Sequence, residues 1–296
     1  MSQEHLDPQL LRDPPRPASR AGRNLPAAIT VGLGLAAAVV VTLGWWHWGF
    51  TLFVAVALSL GAKELHSAMR RLGLDAVIVP IIVGIITIQF ASFYVSRHPD
   101  AGIGAAPTLL ALLCLTVLAV LITRMLRGPQ GFVMDSAASL FIIAYVALLG
   151  ATVPLMLGSE LGRERIIAFI ACVAANDIGG YVLGVLFGKH QMAPVISPKK
   201  TWEGLAGSVL FAVPTGILMV TWLLDSSWWV GAVLGLAMVV FGTAGDLIES
   251  MIKRDVGIKD MSSFLPGHGG VMDRLDSLLV SAPVAWLVLY LTVPGG

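Results

Sequence analysis

The chain has 296 residues, of which 56% are hydrophobic, 32 are glycine and only 12% are charged, against about 25% charged in an ordinary soluble domain. So few charges cannot clothe a soluble globule of this size, which excludes a water-soluble enzyme. The net charge of +1 is uninformative by itself; no zinc spacing and no basic nucleic-acid-binding stripe is present, and Cys114 and Cys172, each inside an apolar run, read as small buried hydrophobes.

Residues 1–24 are polar and proline-rich, with Arg12, Arg16, Arg20 and Arg23, and predict a disordered cytoplasmic tail. The apolar run that follows is longer than the roughly 7–15 residues of a signal-peptide core and has no small-residue exit, so it reads as a retained first span. Apolar runs set against polar breaks predict nine spans, at 25–43, 46–61, 76–95, 105–123, 136–157, 165–187, 205–224, 229–249 and 277–293. Each approaches the ~20 residues needed to cross ~30 Å of hydrocarbon. Gly44 and Trp45 leave almost no turn between the first two. The expected fold class is an all-α integral membrane protein, a polytopic bundle of about nine transmembrane helices. No extramembrane domain fits. The chain divides into N-terminal transmembrane helices at 25–160 and a C-terminal transmembrane catalytic region at 161–296.

Charge placement orients the bundle. With the tail inside, the tail and the loops 62–75, 124–135, 188–204 and 250–276 hold 16 of the 19 lysines and arginines. Arg97, Arg163 and Arg165 make up the other side. That asymmetry predicts a cytoplasmic N-terminus and an outside C-terminus, and Trp45, Trp46, Trp48, Trp228 and Trp229 fall where an outer interfacial belt belongs. Pro154, Pro214, Gly179 and Gly180 are ordinary for membrane helices and carry no functional weight.

Chemistry concentrates late in the chain. Residues 246–276 hold 10 of the 37 charges. Asp246 and Glu249 end one apolar run, and Asp273 and Asp276 begin the next; each pair is spaced i, i+3 and shares a helix face. A carboxylate at a span end is costly unless it faces a polar cavity, a partner or a metal. Two such ends on one membrane side suit a hard cation such as magnesium, which is held by one or two carboxylates plus substrate phosphate. Between them, Leu265-Pro266-Gly267-His268-Gly269-Gly270 is a tight backbone whose N–H groups could approach phosphate, with Lys253, Arg254 and Lys259 neutralising charge. A second cluster, Ser197-Pro198-Lys199-Lys200-Thr201-Trp202-Glu203-Gly204, suits an anionic ligand. Asp177, after Asn176 in mid-span, is a third candidate. Lys63 and Glu64 with Arg70 and Arg71 read as an ordinary solvated loop.

Together these blocks resemble a known family. Ser250-Met251-Ile252-Lys253-Arg254, Lys259-Asp260-Met261-Ser262 and Leu265 to Asp276 match the phosphatidate cytidylyltransferase (CDP-diacylglycerol synthase) signature. Ile196 to Gly204 and Gly245 to Ser250 look like further blocks of it, and Asp177 with Tyr181 falls on another, where Ile178 replaces a frequent hydroxyl residue. The match covers the last 120 residues or so, and the first half agrees only in hydropathy and length.

The resemblance implies CTP + phosphatidate → CDP-diacylglycerol + pyrophosphate, in phospholipid biosynthesis. It implies Mg2+, with a second cation that is either magnesium or monovalent, and metal on Asp246 and Asp273 with Glu249 and Asp276 behind them. Asp246, Asp273, Lys200 and Asp177 are the expected catalytic residues. Ser197, Lys199, Lys200, Thr201, Glu203, Lys253, Arg254, Lys259, His268, Gly269, Gly270 and Arg274 are the expected substrate-binding set. It further implies a homodimer in a bacterial-type inner membrane, with the site facing the cytoplasm among membrane lipid and no nucleic acid as partner. A CTP-dependent lipid kinase of related fold is the nearest alternative, and a secondary transporter the alternative of another class.

Overall fold

Backbone amides in hydrocarbon find no water, so a chain this apolar must satisfy them within helices. The computed structural model describes residues 25–100, 102–264 and 269–294, so the tail at 1–24 lies outside the described residues. The helices are α1 (Leu25–Trp45), α2 (His47–Arg70), α3 (Ile78–Arg97), α4 (Ala105–Met125), α5 (Phe132–Gly158), α6 (Gly162–Phe187), α7 (Trp202–Leu223), α8 (Trp228–Val256) and α9 (Met272–Thr292). Among the described residues eight are long and apolar enough to cross a membrane, and α1 contributes a shorter apolar stretch, Gly32–Trp45. The fold is therefore the expected all-α polytopic bundle. One detail departs from pure helix: an antiparallel hairpin of β1 (Gln191–Ala193) and β2 (Ser197–Thr201) precedes α7.

The junction with almost no turn is real. Trp46 leaves the helical region at φ −145° and ψ 82°, and the chain folds back so that Val39 and Leu43 of α1 pack with Phe50 and Val54 of α2. Several helices outrun the hydropathy that predicted them. α2 continues to Arg70 because Ala62, Leu65, Ala68 and Met69 keep one face buried past the first charges. Glu64, expected in a solvated loop, lies on that extension and is buried. α8 likewise runs to Val256, and α9 begins at Met272. Cys172 is buried as expected, whereas Cys114 is exposed on α4.

Where α6 crosses α7, a Cβ on Gly179 would run into the Gly207 backbone, and one on Gly207 into Gly179. Small residues let membrane helices approach this closely without a hydrophobic driving force. Two apolar cores result. One gathers α2, α3, α4 and α5 with Met272 and Leu279 of α9; the other gathers α6, α7 and α8 with Leu43, Phe50, Phe93 and Met156 of α1, α2, α3 and α5 and with Ala282, Ala285 and Leu289 of α9. α9 is common to both, as are α2, α3 and α5.

The charged loops meet at one end of the bundle. Asp135 Oδ1 accepts from the Asp75 amide (2.8 Å), and Arg127 pairs with Asp75 (2.9 Å). Glu64 accepts from the Val271 amide (3.0 Å), and Arg254 donates to the Ile196 carbonyl (3.3 Å). All loops assigned to one side by charge are thus physically joined. At the opposite end Arg165, the first residue of the span predicted at 165–187, is 1% exposed and donates to the Val293 and Pro294 carbonyls (3.2 Å each). A cation there matches the partial negative charge of the α9 C-terminus.

Ion pairs in this fold differ in weight. Arg163–Glu164 has its arginine side chain 48% exposed and contributes ~0–1 kcal/mol. Arg124 is 3% exposed, donating to Asp135 (2.8 Å) and to the Gly128 carbonyl (2.9 Å). Asp135→Ala strands that buried guanidinium, so a loss of about 3–5 kcal/mol is expected, read as a lower unfolding midpoint in detergent; Glu164→Ala should leave the midpoint nearly unchanged.

Candidate active site

A cavity of about 580 Å³ lies at the charged end, between α6, α7, α8, the start of α9 and β2. Its wall includes Asp177, Asp246, Asp273 and Asp276, together with Lys199, Lys200 and Arg274. Ser197, Thr201, Ser208 and Thr243 add hydroxyls. The two sequence clusters, some fifty residues apart, and the mid-span Asp177 therefore face a single space.

Local structure explains the placement. α8 and α9 touch at Gly245: a Cβ there would collide with the Asp276 carbonyl and lie 3.1 Å from the Ser277 Cα. That contact sets Asp246, the next residue, against α9, where Ser277 donates its hydroxyl proton to Asp246 Oδ1. Lys200 reaches across from β2 to pair with Asp246 Oδ2. Lys253 bridges the two helices, pairing with Glu249 and with Asp273 Oδ1 (2.9 Å). Asp273 Oδ2 accepts from the Met261 (3.0 Å) and Gly270 (2.7 Å) amides. On α6, Asn176 donates to Asp177 Oδ1 (2.9 Å), and Ser208 of α7 donates to the Asn176 carbonyl (2.8 Å).

The β-hairpin is shaped by Glu203. Its Oε2 accepts from the Lys189 and His190 amides (3.2 Å each), and Oε1 lies 2.6 Å from His190 Nδ1. Thr201 caps α7, accepting from the Gly204 amide (3.1 Å). These bonds turn Lys199 and Lys200 toward the cavity. Arg254 acts from the other side on the same loop through Ile196.

Of the residues expected from sequence, Asp177, Asp246, Asp273, Asp276, Ser197, Lys199, Lys200, Thr201 and Arg274 line the cavity. Glu203, Glu249 and Lys253 support residues that do. Lys259 is exposed and Arg254 holds the hairpin, neither lining the cavity. Gly269 and Gly270 are also off the wall, and the Gly270 amide is engaged by Asp273. Leu265, Pro266, Gly267 and His268 lie outside the described residues. Sequence reasoning missed Ser277, although Asp273, Ser277 and Ser281 recur every fourth residue as a polar stripe in an apolar helix. It missed Glu64 as well, whose carboxylate accepts from Ser262 and from the first amides of α9.

Could this wall hold a cation? Its donors are hard carboxylate oxygens, the set that suits magnesium or calcium rather than a softer metal. A carboxylate offers about four lone-pair directions. Asp246 accepts two donors and Asp273 three, so both keep capacity. Among the described residues no three acid, histidine or cysteine side chains converge as a self-sufficient metal cage. The donor set fits.

The cytidylyltransferase family profile matches residues 26–292. The chain belongs to the cytidylyltransferase family. Its likeness reaches well beyond the signature blocks into the first half. A Mycobacterium leprae protein named phosphatidate cytidylyltransferase is 38% identical over 95% of this chain and 92% of its own length. A Mycobacterium tuberculosis protein of that name is 37% identical over 95% and 87%. A Synechocystis protein, also so named, is 29% identical over 89% and 95%. Within this cytidylyltransferase, Gly245→Ala tests the α8–α9 contact. Overpacking should cost about 1–3 kcal/mol of stability and reduce turnover as Asp246 moves off Ser277, read by an unfolding midpoint and an activity assay on the same preparation.

Proposed function

We propose that this chain transfers the cytidylyl group of CTP to the phosphate of phosphatidate, giving CDP-diacylglycerol and pyrophosphate. A phosphatidate oxygen forms a bond to the α-phosphorus of CTP, and the bond from that phosphorus to the β-phosphate bridging oxygen breaks. The observation that carries the reading is the single cavity in which Lys199, Lys200 and Arg274 face Asp177, Asp246, Asp273 and Asp276 at the end of a membrane bundle. A lipid phosphate resides at that depth, and a soluble nucleotide reaches it from the aqueous side. By the charge asymmetry that side is the cytoplasm, in a bacterial inner membrane, and the homodimer belongs to the same reading.

The residues suit the chemistry. A phosphate monoester has its second pKa near 6 and is mostly ionised at pH 7, so the nucleophile needs no strong base. Positioning and charge neutralisation are what must be supplied. Lys199, Lys200 and Arg274 would neutralise phosphate oxygens, with Ser197 and Thr201 donating hydrogen bonds. Asp177, held by Asn176, would orient the ligand from the deep end. Four lining carboxylates against three cations leave a formal excess of one negative charge, so a triphosphate needs a cation to enter with it. Asp246 and Asp273 would hold that magnesium ion, with Glu249 and Asp276 behind. When bound, such an ion would supply positive charge that stabilises the charge developing on the departing pyrophosphate.

The purified protein should convert CTP and phosphatidate to CDP-diacylglycerol only with magnesium. Label in the α-phosphate of CTP should appear in the lipid; label in the γ-phosphate should not, and its transfer would make the chain a lipid kinase instead. Asp246→Asn and Asp273→Asn should each lower kcat by at least about a hundred- to a thousandfold, the size of losing one preorganised electrostatic contact. Normal turnover of both at unchanged magnesium demand would place the metal elsewhere. Lys199→Ala or Lys200→Ala should lose about ten- to a hundredfold in kcat/KM, since a charge-assisted hydrogen bond contributes ~1.5–3 kcal/mol. Asp177→Asn should fold and lose most activity, because charge is removed at constant shape.

A further inference from the structure

Glu64 stands on α2, yet everything it binds lies 198 to 208 residues away. Its side chain is 8% exposed. Oε1 accepts from the Ser262 hydroxyl (2.6 Å) and the Val271 amide (3.0 Å), and Oε2 accepts from the Met272 amide (2.8 Å). Ser262 Oγ accepts in turn from the Phe264 amide (3.1 Å). Gly270 packs so near that a Cβ on it would sit 2.5 Å from Glu64 Oε2.

The first amides of a helix have no partner within it, and the residue preceding α9, Val271, offers no side-chain cap. Glu64 supplies that cap from a different helix, and a carboxylate at a helix N-terminus is also favoured by the dipole. The consequence reaches the cavity. Two carboxylates grip the same stretch of backbone: Glu64 takes the Val271 and Met272 amides, and Asp273 takes those of Met261 and Gly270. Both stems of the 262–271 stretch, at Ser262 and at Val271, end on the one Glu64 carboxylate.

We propose that Glu64 is a positioning residue of the active site, holding the start of α9 so that Asp273 and Asp276 enter the cavity in their working orientation. It rests on the proposed function for its kinetic readout. Its bonds are all made to the α9 approach, so it acts through that backbone and touches no substrate.

The test compares wild type, Glu64→Ala, Glu64→Gln and Ser262→Ala in detergent, by steady-state kinetics and by amide hydrogen exchange. Misplacement by about 1 Å can cost a hundredfold, so Glu64→Ala should lose about ten- to a hundredfold in kcat with KM for CTP little changed. Glu64→Gln, which keeps the shape and one acceptor, should fall between it and wild type, and Ser262→Ala should show the smallest loss. Exchange should quicken in peptides covering 261–272 in that same order, while peptides from 279–289 exchange as in wild type. Should Glu64→Ala fail to fold, the ordering of Glu64→Gln and Ser262→Ala decides. Wild-type kcat and wild-type exchange in the variants overturn the proposal. So does faster exchange along the whole of α9 with a lowered unfolding midpoint, which marks a merely structural cap. A wild type that makes no cytidylylated lipid removes the proposed function and leaves the exchange comparison to judge Glu64.

Discussion

Carboxylates at the ends of apolar helices have to be matched by cations or hydrogen-bond donors, and this requirement organises the charged end of the bundle. Asp246 is matched by Lys200 and Ser277, Glu249 by Lys253, and Asp273 by Lys253 and two backbone amides. The matches join different parts of the chain except the i, i+4 pair on α8 and the local bond from the Gly270 amide to Asp273. Lys200 ties β2 to α8, and Lys253 ties α8 to α9. The bonds that make buried charge tolerable are thus the bonds that shape the cavity. In such a setting, loss of one partner is far more costly than the pair's net contribution to stability.

The same logic extends to the first half of the chain. Arg124 and Asp135 close the turn before α5, and Asp135 reaches on to the Asp75 amide. Glu64 then carries the connection to α9. α9 stands between both apolar cores, with Met272 and Leu279 in one and Ala282 and Leu289 in the other. Displacement of α2 would therefore be felt at Asp273. The N-terminal helices are thus bonded to the start of α9 through Glu64, and the family match likewise spans nearly the whole chain.

Much of this was legible in the linear sequence. The nine helices, and the gathering of the charged loops at one end, follow from apolar runs and from the crowding of lysine and arginine into alternate loops, both of which are local properties. Asp246 and Asp273 stood out because acids that end apolar helices are costly wherever they fall. Glu64 did not stand out. Its neighbours Lys63 and Arg70 make the segment look solvated, while the face formed by Ala62, Leu65, Ala68 and Met69 is visible only once the helix is known to continue. Lys253 shows what a linear reading leaves out: a basic residue beside a phosphate-like loop suggested ligand contact, and the fold engages its ammonium with Glu249 and Asp273.

Sequence alone determined the membrane class, the helix inventory and which loops carry the charge, because hydropathy and charge act on each segment independently of its neighbours. Tertiary structure alone decided which of those charges share a cavity and which cancel one another behind it. That choice depends on helix contacts such as Gly245 against Asp276 and on the turn of the β-hairpin under Glu203. Such contacts depend on where one backbone meets another distant in sequence, and no periodicity within a single segment records that.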